Sequence, residues 1–337
     1  MKNSRYTIAT LGSHSALQIL KGAHDEGFKT LLITTPSRKE FYQRFPFIDQ
    51  VLVIESFSRF PEAEKKLKNK NIIIIPHGSF VAYFGVEGNK KMTLPYFGNK
   101  KVLDFEADRK KQGSWLRSSG IKVPKEFATI GEAEFPVIVK SYGAAGGAGY
   151  FLSSSKKDFK SKIKNFDGEK YLIQQYLVGV PLYIHYFYSP LTNKIEIMSM
   201  DRRYETNADA IGRIPSRYQR DVRIEPSFVV VGNSPLVLRE SLLPEAFRMG
   251  EQVVAESKKK IDNRGLFGPF CLETIITPGQ EIYTIEISAR IVAGTNLFIE
   301  GSPYSSLFYK EPMSTGRRIA REIKLGIENH KLELMLD

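Results

Sequence analysis

Two β-prone runs joined by a Pro-Gly turn constrain this chain more than any other stretch. Phe270–Ile276 and Glu281–Ser288 are rich in Ile, Thr, Tyr and Phe, and Pro278-Gly279 between them is a strong turn signal. The pattern predicts an antiparallel hairpin with its turn over Thr277–Gln280 and Ile276 paired with Glu281. Glu273 then lies opposite Thr284, and Glu286 opposite Cys271. Side chains alternate faces along a strand, so both carboxylates reach one face as diagonal neighbours, roughly 7–8 Å apart at Cα. A turn of three residues would separate them onto opposite faces. A solvated hairpin surface is the plainer reading of two glutamates. The apolar neighbours Leu272, Ile275, Ile285 and Ile287 favour a site instead. Two carboxylates at that spacing suit Mg²⁺ (or Mn²⁺), a hard cation that leaves room for phosphate oxygens. Arg290 follows two residues after Ser288, placed to hold a transferring phosphoryl group or an acyl phosphate.

The 337 residues suffice for two or three packed units, and 42% hydrophobic with 26% charged residues is ordinary globular material. No apolar run is long enough to span a membrane, and the first residues carry no apolar signal core, so a cytoplasmic protein is expected. One cysteine, Cys271, excludes an intrachain disulfide and fits a reducing compartment, and no Cys/His cluster offers a zinc site. The net charge of +12 admits a polyanionic partner or a solvated Lys-rich surface. The lysines are spread along Lys65–Lys70, Lys156–Lys164 and Lys258–Lys260, which favours the surface, and no nucleic-acid partner is expected.

In chain order, Tyr6–Leu11 reads as a strand, Ala16–Glu26 as a helix closed by Gly27, and Thr30–Thr34 as the next strand. Between the first two lies Gly12-Ser13-His14-Ser15, an anion site at a helix N-terminus or simply a cap by Ser13 or Ser15. Val51–Ile54 and Asn71–Ile75 are further strands around a helix near Phe60–Asn69, and Pro76-His77-Gly78-Ser79 follows the second. Parallel sheets bind ligands at the carboxyl ends of their strands, where the His14 and Ser79 loops both lie. A helix is expected over Asp104–Ser119. Phe135–Lys140 is a strand ending in lysine, followed by the Gly-rich Ser141–Tyr150 with Gly146 and Gly147, and then a strand over Tyr150–Ser153. This is a flexible loop or a phosphate lid, and Lys140 favours the lid. Ser154–Asn165 reads as a basic helix. Tyr171–Leu177 is a strand whose Gln174, Gln175, Tyr176 and Leu177 lead into a Gly-Pro break, either a connector or an edge for adenine. Leu182–Tyr188 and Ile195–Tyr204 are strands, with Arg202, Arg203 and Glu205 clustered after them and Arg213, Arg217, Arg220 and Arg223 in a polar segment. Ser227–Val231 reads as a strand ended by a turn over Gly232-Asn233-Ser234-Pro235, and helices are expected over Pro244–Lys260 and Arg317–Ile327.

The order of these parts resembles the ATP-grasp ligases over nearly the whole chain. The resemblance implies α/β and α+β units: a parallel-sheet domain over 1–101, a lid with the Gly-rich flap over 102–180, and a metal-bearing unit over 181–337. That superfamily usually ends its acidic strand in Glu-x-Asn-x-Arg. Here Ser288 replaces the Asn, so no third metal ligand is expected there. The strings ATLGSHSALQILKGAHDEGF, PHGSF, VGNSP and EISARIVAGTN are similar to the archaeal formate-dependent 5-formaminoimidazole-4-carboxamide ribonucleotide synthetase family. Membership implies formylation of aminoimidazole carboxamide ribonucleotide (AICAR) with ATP and formate in purine biosynthesis, by a homo-oligomer, expected as a hexamer. It also implies AICAR binding by His14, Ser79 and Asn233, ATP binding by Glu205 and the Lys140-to-Leu177 region, and metal binding by Glu273 and Glu286. Arg290 follows superfamily logic alone. The alternatives are a sister ligase acting on another acid or amine, and a nucleotide- or RNA-binding protein without turnover.

Overall fold

A computed structural model describes residues 5–68, 70–141, 149–166, 170–206, 208–211, 214–219 and 229–337. The first unit is a parallel sheet of β1 (Thr7–Leu11), β2 (Lys29–Thr34), β3 (Gln50–Val53) and β4 (Ile72–Ile74), in the order β3-β2-β1-β4. Its central strands are buried on both faces, which is why they read as near-continuous apolar runs. The helices α1 (Ala16–Asp25), α2 (Pro36–Tyr42), α3 (Phe60–Leu67) and α4 (Gly78–Lys91) complete it. Gly27, at φ +83°, ends the turn after α1 in a left-handed conformation. β2 lies on one side of β1 and β4 on the other, so the loops after β1 and β4 flank the point where strand order reverses. Those loops carry His14 and His77–Ser79.

The expected helix over Asp104–Ser119 is two helices, α5 (Val102–Ala107) and α6 (Arg109–Ser118). Asp108 breaks them, because its carboxylate accepts from the Lys110 and Lys111 amides and starts the second helix. Trp115 of α6 is fully buried and donates to the Val253 carbonyl at 3.0 Å, which fastens α6 to the C-terminal part of the chain. The second sheet is antiparallel: β5 (Glu126–Phe127), β6 (Val137–Ser141), β7 (Tyr150–Ser153) and β8 (Tyr171–Gln175), ordered β5-β8-β6-β7. Phe159 of α7 (Lys156–Lys162) closes its small core over Phe127, Val137, Val139 and Ile173.

The third sheet holds β9 (Val180–Ser189), β10 (Lys194–Glu205), β11 (Val230–Pro235), β12 (Gly268–Ile276) and β13 (Ile282–Ser288), ordered β11-β10-β9-β12-β13 and antiparallel. The short α8 (Ala208–Ile211) and α9 (Ser216–Gln219) lie between β10 and β11 in sequence. Gly232–Pro235 is strand rather than the expected turn, with Asn233 opposite Arg203. Pairing along β10 supplies hydrogen bonds that the turn-like composition hid. α10 (Leu243–Lys260) packs on the face that carries Tyr186, whose hydroxyl donates to the Ala246 carbonyl at 2.7 Å. The opposite face carries Tyr183, His185, Asp201, Arg203 and Glu273. α11 (Thr315–Glu328) returns to the first unit, where the buried Glu26 accepts from Arg317 and Arg321 at 2.7 Å each. Among the described residues no helix is long and apolar enough to cross a membrane.

Candidate active site

The hairpin forms with a register other than the expected one. Ile276 pairs with Ile282, so the connection runs from Thr277 to Glu281, five residues instead of four. An odd connection alone would send the two carboxylates to opposite faces. A β-bulge compensates: Thr274 faces Thr284, but Glu273 faces Glu286, and Ile285 is the extra residue. The carboxylates are therefore directly opposed on one face, about 5 Å apart at Cβ, rather than diagonal. Burial, then the Glu273 charge, pushes the Glu286 carboxyl up to about 7. Glu273 receives the Arg203 guanidinium at 3.3 Å, and that guanidinium also lies 3.6 Å from the centre of the Tyr183 ring.

This donor set fits a divalent cation. Two opposed, largely buried carboxylates offer hard oxygens, and a positive charge between them relieves the repulsion that raises Glu286. Among the described residues no group of three His, Cys, Asp or Glu could hold a metal, so further ligands would be phosphate or water oxygens.

Lys140 approaches the pair from β6. Burial, then the Arg109 charge, lowers its ammonium to about 8, while Glu286 and Glu273 act in the opposite direction. Its Nζ donates to Gln174 Oε1 at 3.0 Å, since residues 138, 140, 172 and 174 share one face of the β6–β8 ladder. Gln175 belongs to the other face, and its Oε1 is 3.4 Å from the Lys125 amide. Its side chain thus points away from Lys140 and Gln174. Tyr176 leaves β8 with its amide on the Pro136 carbonyl at 3.1 Å, and half-buried Leu177 follows. The Glu205 carboxylate helps raise the Tyr176 hydroxyl, second to burial. Glu205 itself is raised to about 7, first by burial and then by Asp209. Gly146 and Gly147 lie outside the described residues, as do Arg213, Arg220 and Arg223.

The loops of the first sheet face this centre. His14 has φ +52° and its ring stacks on His77 at 5.4 Å between centroids. Burial, then the charges of His77, Arg290 and Arg203, lowers its imidazole to about 3. Burial likewise lowers His77 to about 4. The neutral His77 accepts the Ser79 amide on Nδ1 at 3.3 Å and donates from Nε2 to the Leu11 carbonyl at 3.0 Å. Ser79 Oγ donates to Ser13 Oγ at 3.0 Å. A Cβ at Gly78 would lie 3.0 Å from His14 Nε2 and 3.5 Å from Arg290 Cζ, so the loop passes close to both side chains. Ser15 begins α1 without a side-chain cap, its hydroxyl instead meeting His14 Nδ1 at 2.9 Å. Asn296 Nδ2 donates to the His14 carbonyl at 3.1 Å, tying the segment after β13 to this loop.

Arg290 is held 3.2 Å from Glu106 Oε1, and Glu106 Oε2 accepts the Ala289 amide at 3.0 Å. Asn233 donates from Nδ2 to Asp201 Oδ2 at 2.6 Å. Sequence reasoning singled out neither His77, Glu106, Arg109 nor Asp201. His77 had a signal in the PHGS loop. Glu106 had none, because its partner in sequence is 183 residues away.

The same architecture occurs in solved ligases. The structure matches the ADP complex of an N5-carboxyaminoimidazole ribonucleotide synthetase with TM-score 0.66 at 15% identity, over 94% of this chain and 76% of that one. The chain thus has the ATP-grasp fold. Two family models match: a domain of unknown function (DUF1297) over 152–336 and a protein family of unknown function (DUF1246) over 8–127. A relative from Pyrococcus horikoshii named 5-formaminoimidazole-4-carboxamide-1-(β)-D-ribofuranosyl 5′-monophosphate synthetase is 53% identical, over 97% of this chain and 98% of its own. One of the same name from Saccharolobus solfataricus is 47% identical over 98% and 99%. A crystal structure described as an IMP biosynthesis protein PurP from Thermococcus kodakaraensis matches with TM-score 0.78 and 32% identity, covering 98% of this chain and 100% of that one. The chain belongs to the 5-formaminoimidazole-4-carboxamide ribonucleotide synthetase family.

Proposed function

We propose that the protein is an ATP-grasp ligase that joins formate to the exocyclic amine of AICAR, with ATP converted to ADP and phosphate, in purine biosynthesis. The observation that carries this reading is the Glu273–Glu286 pair facing Lys140 on one side and the His14 and Arg290 loops on the other. The family relationship supplies the substrates.

ATP would lie between the second and third sheets, with Lys140 on its phosphates and the backbone of Tyr176 and Leu177 along adenine. Gln174 would hold Lys140, and Glu205 would take the ribose. Gln175 would contribute through its backbone, and Gly146 and Gly147 through the flap. Mg²⁺ or Mn²⁺ on Glu273 and Glu286 would offset charge on the transferring phosphoryl oxygens.

Formate is a poor electrophile because its own charge repels nucleophiles. Phosphorylation by ATP gives formyl phosphate, which Arg290 would hold. AICAR would sit on His14, Ser79 and Asn233, its amine aimed at the formyl carbon. Attack forms the C–N bond, breaks the C–O bond to phosphate, and releases the amine proton to the departing phosphate. The amine is a weak nucleophile, so placement carries much of the rate. His14 stays neutral and is too weak a base to take that proton. Closure of the lid would keep water from formyl phosphate.

The working division is a substrate unit over 1–101, a lid over 102–180 and a metal unit over 181–337. Because α6 is fastened to Val253, the part of that lid that would close is the second sheet. A cytoplasmic homo-oligomer, as a hexamer, completes the proposal, and the single buried Cys271 suits a reducing compartment. Purified protein with Mg²⁺ and ATP should release ADP only when formate and AICAR are both present. Release with either omitted, or faster release with another acid or amine, contradicts the assignment.

A further inference from the structure

Behind Asn233 lies a buried polar chain that the reaction as described does not use. Asp201 is fully buried on β10, and both its oxygens are engaged. Oδ1 meets His185 Nε2, and Oδ2 meets Asn233 Nδ2 at 2.6 Å. His185 is itself 1% exposed, and its Nδ1 has no partner among the described residues. Polar groups buried this deeply in a sheet core are costly unless they serve an arrangement. The backbone makes room for them: a Cβ on Gly294 would collide with the Asp201 carboxylate, so the segment that returns over this face can pass only as glycine.

A carboxylate only accepts hydrogen bonds, so it selects one orientation of the Asn233 amide. Nδ2 must turn inward to Asp201, which leaves Oδ1 facing away. Among the described residues none donates to that oxygen. Asn233 sits opposite Arg203, whose guanidinium is on Glu273, so Oδ1 borders the centre where AICAR would react.

We propose that Asp201, seated by His185, is a positioning residue that locks the Asn233 amide with its carbonyl toward the substrate, so that it accepts an N–H of the imidazole carboxamide and selects carboxamide over carboxylate. The inference rests on the functional reading above. A site built to accept an N–H leaves its acceptor unpaired, and next to a second anion, when the group is a carboxylate.

The test compares binding of AICAR with that of its 4-carboxylate analogue by calorimetry, and initial rates with varied AICAR and ATP. The wild type should prefer the carboxamide by roughly 100-fold or more. Asp201→Asn offers both a donor and an acceptor, so Asn233 can flip. Its preference should fall below about tenfold, through a raised KM for AICAR, with KM for ATP within about threefold. His185→Leu, which unseats Asp201 from the other side, should move the ratio in the same direction and serves if Asp201→Asn does not fold. Equal binding of the two ribonucleotides by the wild type overturns the proposal. So does a preference that survives in the folded variant, or a KM that rises equally for ATP. Failure of the functional reading is distinct, because the wild type would then bind neither ribonucleotide.

Discussion

Glu273 and Glu286 face each other directly across β12 and β13, and they do so because Ile285 is left out of the ladder. Two departures from a regular hairpin, an odd connection and a one-residue bulge, cancel in their effect on side-chain direction.

The pair makes Glu286→Gln the most informative substitution for the chemistry. The amide keeps shape and volume at a partly buried position, so the fold should survive. ADP formation should fall by about 10³-fold or more, as expected when a divalent site loses a charged ligand. Steady-state ADP release together with an unchanged unfolding transition checks both halves.

The raised Glu286 carboxyl predicts how metal affinity depends on pH. Protons and a divalent cation compete for the same oxygens, so below about 7 the affinity for Mn²⁺ should drop by up to about tenfold per pH unit, and above it should level off. Thermal stability is a poorer readout. A carboxyl raised from 4.5 loses its contribution to stability as pH climbs from 4.5 to about 7. His14 and His77, lowered from 6.5 to about 3 and about 4, contribute in the opposite direction between those values and 6.5. Mn²⁺ titration across pH 5.5 to 8.5, followed by electron paramagnetic resonance, separates the metal effect.

Glu106 should matter to turnover although it lies outside the acidic pair. It holds both the Arg290 side chain and the Ala289 backbone, so Glu106→Gln should lower kcat by about tenfold while nucleotide affinity stays near wild type. Arg290→Lys should not restore the rate, because an ammonium lacks the planar fork that Glu106 and a phosphoryl group share. Single-turnover rates and ATP binding by the two variants test this.

Glu26 is a stability residue and not a catalytic one. Its carboxylate, 1% exposed, meets Arg317, Arg321 and Lys324. Glu26→Ala leaves those cations without their shared anion and should cost about 3 kcal/mol. Denaturant unfolding measures it, and kcat at a temperature where the variant is folded should be near wild type.

Legibility of the sequence followed the range of the interaction. The first sheet was readable because its strands are short apolar runs separated by helices, and the loops at His14 and Ser79 fell at strand ends as the pattern required. The acidic hairpin was readable as an element but not in its register. The bulge lies in the pairing of β13 with β12, which no local pattern records. Gly232–Pro235 looked like a turn because Gly, Asn, Ser and Pro suit one, and only pairing with β10 made it a strand. The break at Asp108 had a local signal, a capping residue inside a helical run, that the periodicity masked. Glu106, Arg109, His185 and Asp201 reach the centre through contacts between distant segments, which leave no mark in spacing.

The metal position is the most direct test of the whole account. Crystals grown with Mn²⁺ and a non-hydrolysable ATP analogue should give an anomalous peak between the Glu273 and Glu286 carboxylates, touching phosphate oxygens, with Arg203 displaced from Glu273. A peak elsewhere, or a triphosphate bound with both carboxylates out of reach of the ion, would contradict it.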